Sequence, residues 1–337
     1  PMPSHSGRYM IVYNGEIYNY QEIEADLRSA GHAFKGRSDT EVLLTAIEHY
    51  GLNEALQKIN GMFAFALWDR QAKQIHFVRD RFGKKPLYIG WAGNSLVFGS
   101  ELKALHVHPD FTAELDRNAL ALYMRFGYVC APHAMFKNVW QLLPGGRLSF
   151  DLAHMKPGED LSRRMELYWS LRHAVDDARA HPVLDDEQTI IRTFEEKLSK
   201  AVKQRMIADV PLGAFLSGGI DSSLVTALMQ QNSNRPVKTF SIGFAEDAYD
   251  ESKAAAAVAA HLGTDHHEFK VSAQDALDVI PGLADMYDEP FADASQIPTY
   301  LISKLARKHV TVALTGDGGD EILGGYQRHT HIPALWN

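Results

Sequence analysis

The chain holds a single cysteine, Cys130, among its 337 residues. One thiol cannot form an intrachain disulfide or a multi-thiolate zinc site, and a reducing, cytosolic (cytoplasmic) setting fits it best. An excess of positive charge is also missing: Lys plus Arg number 34 against 42 for Asp plus Glu, a net charge of −8 with no dense basic run. A general nucleic-acid binder carries the opposite balance, so no nucleic-acid partner is expected. No apolar stretch approaches the ~18 residues of a membrane span, and the opening PMPSHSGRYM has no basic region followed by an apolar one. No membrane partner and no export signal are therefore expected. Histidines fall in pairs (His106 and His108, His266 and His267, His329 and His331), yet no pair has a partner pair at zinc-like spacing, so no zinc centre is expected.

What the chain does have is ordinary globular composition, 45% hydrophobic and 23% charged, which excludes disorder, collagen and coiled coil. At roughly 150 residues per domain the length points to about two domains. The chain opens on Pro1 and stops at Asn337 just after a glycine-rich loop, and is expected to be a piece of something longer.

Residues Arg8 to Tyr13 are β-rich; Asn14-Gly15 reads as a break, and a helix follows over Asn19 to Ala30. A second helix spans Thr40 to Tyr50. Met62 to Trp68, Gln74 to Arg79, Pro86 to Trp91, Ser95 to Gly99 and Leu143 to Asp151 read as strands, giving an α+β domain over residues 1–151. Residues 152–185 are charged, proline-containing and irregular, and read as a linker. From 186 to 337 strands alternate with helices: helix Asp186 to Met206, strand Pro211 to Leu216, helix Ser222 to Gln231, strand Val237 to Phe244, helix Glu251 to Leu262, strand His266 to Val271, helices Ala273 to Tyr287 and Ile297 to Lys308, strand Val310 to Leu314. That rhythm predicts an α/β domain with a parallel sheet, whose ligands sit at the carboxyl ends of the strands.

The strand ADVPLGAFL runs into SGGIDSS and at once into a helix. Gly218 and Gly219 let backbone N–H groups approach an oxyanion, the helix start points its donors the same way, and Ser217, Ser222 and Ser223 add hydroxyls. Asp221 would repel a bare phosphate, so it implies a bridging cation, most plausibly Mg²⁺. A plain strand-to-helix turn capped by Asp or Ser is the competing reading. No GxxxxGK[ST] spacing exists, and GDGGDE fails GxGxxG because its sixth position is Glu321, so kinase-like and dinucleotide readings lose their support.

The loop SGGIDSS resembles the pyrophosphate loop of the N-type ATP pyrophosphatases. ADVPLGAFLSGGIDSSLVTALM, with FSIGF, YDEPFADASQIPTYL and LTGDGGDEILGGY downstream, is similar to glutamine-hydrolysing asparagine synthetases. The resemblance implies a PP-loop, adenine nucleotide alpha hydrolase-like domain. It places Leu216 and Ile242 against adenine and ribose, Thr315 and Gly316 along the nucleotide, and Ser217, Gly218, Gly219, Asp221, Ser222 and Ser223 on the pyrophosphate. It also implies that Asp221 and Asp320 share magnesium. Asp317 stands where many relatives carry Glu, whose carboxylate helps organise the adenylate for ammonia attack.

In the first half, GRYMIVYNGEIYNYQEI resembles the glutaminase domain of class II amidotransferases, and RDRFGKKPLYI and FGSELKAL extend the match. The resemblance implies an Ntn-hydrolase-like domain in which Asn14 and Gly15 stabilise the oxyanion, Glu16 lies beside glutamine and Asp39 binds its α-ammonium. In GRSDTEV, Ser38 with Glu41 also reads as a helix capping box. In the resembling family the nucleophile is an N-terminal cysteine; the first residue here is Pro1, and Cys130 reads as a packed small residue, so this chain is not expected to hydrolyse glutamine by that mechanism.

The resemblance implies a parent ligase that makes asparagine from aspartate, ATP and glutamine or ammonia, with Mg²⁺, and is compatible with a homodimer. A related amide- or lactam-forming synthetase acting on another acid, and a noncatalytic nucleotide-binding fragment, stay open.

Overall fold

The computed structural model describes residues 1–244 and 251–336. The chain divides into two units, Pro1–Val183 with Ala284–Ala292, and Leu184–Leu283 with Asp293–Asn337.

In the first unit, β1 (Met2–Pro3), β2 (Tyr9–Ile17), β3 (Gly61–Asp69), β4 (Gln74–Arg79), β8 (Gly146–Asp151) and β9 (Glu166–Leu167) form a six-stranded sheet in that order, every neighbour antiparallel. A three-stranded sheet has β5 (Tyr88–Ala92) between β6 (Ser95–Gly99) and β7 (Val139–Gln141). The period of two in β3 builds the layers. Phe63, Phe65 and Leu67 pack with Ile23 and Leu27 of α1 (Tyr20–Ser29), Leu43 and Ile47 of α2 (Asp39–Tyr50) and Leu56 of α3 (Leu52–Lys58). Ala64 and Ala66 face the other way, into a cluster with Ile89 and Trp91 of β5 and Leu148 and Phe150 of β8. A sheet buried on both faces needs this near-continuous apolar run, and each fully buried phenylalanine contributes about 2–3 kcal/mol. Further helices of this unit are α4 (Leu102–His106), α5 (Arg117–Phe126) and α6 (Leu171–Ala180).

The Asn14-Gly15 pair does not break the chain. β2 runs through it, with Asn14 opposite Ala64 and Gly15 opposite Phe63. A Cβ on Gly15 would lie 2.3 Å from the Met62 carbonyl oxygen, so the residue admits a close strand approach; its turn propensity is overruled by a partner strand far along the sequence. The stretch 152–185, read as a linker, contributes β9 to the sheet and α6 besides. The motif RDRFGKKP is a structural knot. Arg79 donates to the carbonyls of Lys85, Leu142 and Gly83, each at 2.8 Å, and buried Asp80 accepts from the backbone N–H groups of Phe63, Phe82, Lys84 and Lys85.

Residues Ala284–Ala292 complete this unit. Asp288 accepts from Leu102 N at 2.7 Å, and the half-buried Glu289 carboxylate accepts from Tyr88 Oη at 3.0 Å, Gln141 Nε2 at 2.8 Å and Met135 N at 2.6 Å.

In the second unit β10 (Leu212–Phe215), β11 (Lys238–Phe244), β12 (Asp265–Val271) and β13 (Val312–Leu314) form a parallel sheet, order β12-β11-β10-β13. On one face, Ala214 packs with Val202 of α7 (Glu187–Arg205) and Leu228 of α8 (Ile220–Gln231), and Leu216 with Ala255 and Ala259 of α9 (Ser252–Leu262). On the other, Phe240 packs with Ala306 of α12 (Gln296–Ala306) and Val310. The helix predicted over Ala273 to Tyr287 is instead α10 (Ala273–Val279), a 3₁₀ turn at Ile280–Gly282 and α11 (Leu283–Met286). Pro281 and Gly282 supply the break. Short helices α13 (Gly319–Leu323) and α14 (Gln327–Trp336) follow β13.

Candidate active site

Strand order in the second unit steps from β10 outward to β11 and β12, then returns to β10's other side with β13. The crevice at such a reversal is where open parallel sheets receive ligands. A cleft of about 1730 Å³ opens there, lined by Leu216, Ser217, Gly219, Asp221 and Ser222 after β10, by Ser241 and Ile242 within β11, and by Thr315, Gly316, Asp317 and Asp320 after β13. Gly218 and Ser223, both singled out from the sequence, are not among the lining residues. Gly218 has φ +83° and turns the backbone against α9, while the buried Ser223 hydroxyl has no hydrogen-bond partner among the described residues.

Within the loop the hydroxyls engage one another: Ser217 Oγ lies 2.9 Å from Ser222 Oγ, and Gly219 N donates to Ser217 Oγ at 3.2 Å. The start of α8 has Gly219 at its N-cap with no side-chain capping bond. Its first N–H groups are therefore available to an anion. The loop after β13 presses against this helix start. A Cβ on Gly316 would lie 2.7 Å from Ser222 N, and one on Gly319 would lie 2.3 Å from Asp221 Oδ2. The Asp221 carboxylate thus nests against the residue that precedes Asp320. Asp317 turns back on its own loop, accepting from Thr315 Oγ1 at 2.9 Å.

Sequence reasoning passed over Glu251, Asp293, Glu321, Tyr326 and Ser241, which also line the cleft. Their signal was available for Ser241, which precedes Ile242 in FSIGF, and for Glu321, which follows Asp320. Glu251 and Asp293 reach the cleft only through tertiary packing. Among the described residues that line the cleft none is a lysine or arginine. Among the described residues no group of three or more His, Cys, Asp or Glu side chains is placed to hold a metal ion. Asp221 and Asp320 are a pair of hard oxygen donors, which is the protein share that Mg²⁺ takes when phosphate oxygens complete its shell.

In the first unit, Asn14, Gly15 and Glu16 lie on the second half of β2, and Asp39 is the first residue of α2. Asp39 Oδ2 accepts from Tyr13 Oη and from Ile17 N, each at 2.9 Å, which fastens the head of α2 to β2. Burial first, and the Asp39 carboxylate second, push the Tyr13 phenol far above its ordinary range. Asn14 Nδ2 donates to Ser100 Oγ at 3.2 Å. The expected capping box is absent: Ser38 caps α2 by accepting from Thr40 N, and Glu41 accepts from Lys35 N and Gly36 N. Two free N–H groups in the preceding loop outcompete the cap residue for that carboxylate. Cys130 is half-buried, in the stretch after α5.

Residues 1–162 match the glutamine amidotransferase domain family and residues 193–337 the asparagine synthase family. Asparagine synthetase [glutamine-hydrolyzing] 1 of Bacillus subtilis is 36% identical over 97% of this chain and 49% of its own length. A putative asparagine synthetase [glutamine-hydrolyzing] 2 of Methanocaldococcus jannaschii is 38% identical over 95% of this chain and 59% of its own.

The chain belongs to the glutamine-hydrolysing asparagine synthetase family.

It spans about half the length of the curated relatives it matches. A solved glutamine phosphoribosylpyrophosphate amidotransferase from B. subtilis, complexed with ADP and GMP, aligns at TM-score 0.35 and 14% identity over 80% of this chain and 63% of that one, a likeness too distant to carry an argument. As an asparagine synthetase family member, the chain has a first unit of the glutamine amidotransferase domain family followed by a parallel-sheet unit that the asparagine synthase family matches. The synthase match begins within α7 and takes in the entire cleft.

Proposed function

We propose that the second unit binds ATP and activates a carboxylic acid, L-aspartate, as β-aspartyl-AMP, which ammonia then converts to L-asparagine. The observation that supports this most directly is the meeting of the Ser217–Ser222 loop, the uncapped start of α8 and the Asp317–Asp320 loop at one sheet crevice. The β-carboxylate oxygen forms a bond to the α-phosphorus as the bond to the bridging oxygen breaks and pyrophosphate leaves. Backbone N–H groups at the head of α8 and the hydroxyls of Ser217 and Ser222 meet the charge that develops on that leaving group. Leu216 and Ile242 would hold the adenosine, with Thr315 and Gly316 along it. Asp221 and Asp320 would hold Mg²⁺, which when bound neutralises phosphate charge. In the second step ammonia adds to the acyl carbon and AMP departs; Asp317, on the cleft wall, would organise the adenylate.

In the first unit, we assign Asn14 and Gly15 to the oxyanion of amide hydrolysis and Glu16 and Asp39 to glutamine. Exchange of labelled pyrophosphate into ATP tests the reading, and it needs neither nitrogen donor nor glutamine. Aspartate-dependent exchange is the expected result. Exchange only with another acid would transfer the reading to a different amide-forming synthetase, and no exchange with any acid would leave a nucleotide-binding chain without turnover.

A further inference from the structure

Asp320 is the second residue of α13, and the turn that closes this short helix folds straight back on it. The N–H groups of Gly324 and Gly325 both donate to the Asp320 carbonyl oxygen, at 3.0 and 3.1 Å. That doubled bond brings Gly325 against the carboxylate itself: a Cβ on Gly325 would lie 1.9 Å from Asp320 Oδ1 and 3.0 Å from its Cγ. Both residues line the cleft. A carboxylate oxygen thus occupies the place where any side chain at 325 would begin. Asp221 Oδ2 is seated in the same way on Gly319, so each of the two acids assigned to magnesium has one oxygen set against a glycine of the chain that follows β13.

The two glycines that end α13 answer to different demands. Gly324 has φ +73°, the left-handed cap of the helix, and the atom nearest its Cβ position is His329 Nδ1 at 3.6 Å, an ordinary contact. Gly325 lies outside the left-handed region, so its backbone would accept alanine, and the atoms nearest its Cβ position all belong to Asp320. The closest of them is the tip of a short rotatable side chain. An alanine at 325 is therefore relieved by turning the carboxylate out of its place, with no demand on the helix. Its effect falls on where Asp320 points and leaves the fold alone.

We propose that Gly325 is a positioning residue for the magnesium site, kept free of a side chain so that the Asp320 carboxylate holds its place in the cleft wall, and acting on the metal through Asp320. This rests on the nucleotide and magnesium reading above. Disturbing a group that orients a metal ligand typically costs about 10–100-fold in metal affinity.

Calorimetric titration of ATP into the full chain across a series of Mg²⁺ concentrations tests the inference, with thermal unfolding of each variant alongside. In Gly325→Ala the magnesium concentration that gives half-maximal ATP binding should rise roughly tenfold. Saturating magnesium should restore the wild-type ATP affinity, and the unfolding midpoint should hold. Gly324→Ala should do the converse: its strained backbone lowers the midpoint while the magnesium requirement stays that of wild type. A magnesium requirement unchanged in Gly325→Ala overturns the role of Gly325. So does an ATP affinity lowered equally at every magnesium concentration, which is the mark of a side chain that merely crowds the nucleotide. A midpoint in Gly325→Ala that falls as far as that of Gly324→Ala overturns the claim that the carboxylate gives way. Wild-type ATP binding indifferent to magnesium defeats the Asp221 and Asp320 reading, and no ATP binding at any magnesium concentration defeats the nucleotide reading; either result takes this inference with it.

Discussion

Substituting Gly218 isolates the physical demand that the turn after β10 places on sequence. The residue has φ +83°, and a Cβ there would lie 2.7 Å from both Ala254 Cβ and Ala255 N of α9. Adopting the left-handed region costs an alanine about 1–2 kcal/mol. The contact adds more, because one of the atoms met is helix backbone that cannot swing aside, and overpacking of this kind costs about 1–3 kcal/mol. Gly218→Ala should therefore destabilise the second unit by about 2–5 kcal/mol. Gly263 is the matched control: it ends α9 at φ +68° with nothing within 4 Å of its Cβ position. Gly263→Ala should cost only the backbone share, about 1 kcal/mol. Urea unfolding followed by circular dichroism gives both numbers from the shift in midpoint and the slope. Affinity for MgATP should fall in Gly218→Ala and hold in Gly263→Ala, since only the former moves the loop bearing Ser217 and Asp221. A Gly218→Ala cost no greater than that of Gly263→Ala would refute the claim that α9 closes on this turn.

Asp221→Ala should abolish Mg²⁺-dependent ATP binding in calorimetry with and without a chelator; unchanged affinity would sink the pyrophosphate-loop assignment. Burial, the largest cause, holds the Glu289 carboxyl above its ordinary 4.5 despite the donors from Met135 and Tyr88. A raised folded value means that the unfolded chain ionises first. Its contribution to the stability of the first unit is thus fully present below pH 4.5 and is lost as pH rises through the raised value. Denaturation midpoints across pH should decline through that window and flatten in Glu289→Gln, and an unaltered profile would show that Glu289 does not titrate there. Asp80→Ala leaves the N–H groups of Phe63, Phe82, Lys84 and Lys85 without their acceptor and should cost at least about 3 kcal/mol, where a loss under about 1 kcal/mol would contradict the knot.

Alternation of strands and helices after residue 186 was legible because each element carries its own period and its own stop signal. Gly263 ends α9 and the loop at Ser217 begins α8 at positions the residue types announce. Helix α5 was equally announced, by Asp116 capping Asn118 N and by Gly127 at φ +78°, but its short amphipathic run between two loops drew no reading. Helix α3 was missed for a different reason. Gly51 ends α2 and also opens α3, and a glycine read as a stop conceals a start. Asn14-Gly15 failed because the local turn signal is weaker than pairing with β3, whose facing residues Ala64 and Phe63 lie 50 and 48 positions away and cannot be inferred from β2 alone. Glu289 belongs to the same class: nothing in YDEPF announces a carboxylate that accepts from Tyr88, Met135 and Gln141.

The cleft itself was half legible, and the missing half alters its electrostatics. Motif reading supplied Asp221, Asp317 and Asp320; folding adds Glu251, Asp293 and Glu321, and none of the described residues lining the wall is lysine or arginine. A triphosphate entering this space meets carboxylates on several sides, and like charges at a few ångströms repel strongly once water is displaced. On the proposed nucleotide reading, the α8 N–H groups, the hydroxyls of Ser217 and Ser222 and a divalent cation shared by Asp221 and Asp320 would offset that repulsion. Glycine at 316 and 319 is what lets the second loop approach near enough for that sharing, since side chains there would overlap Ser222 N and Asp221. On the same proposed reading, the acids that repel a bare nucleotide would favour its magnesium complex.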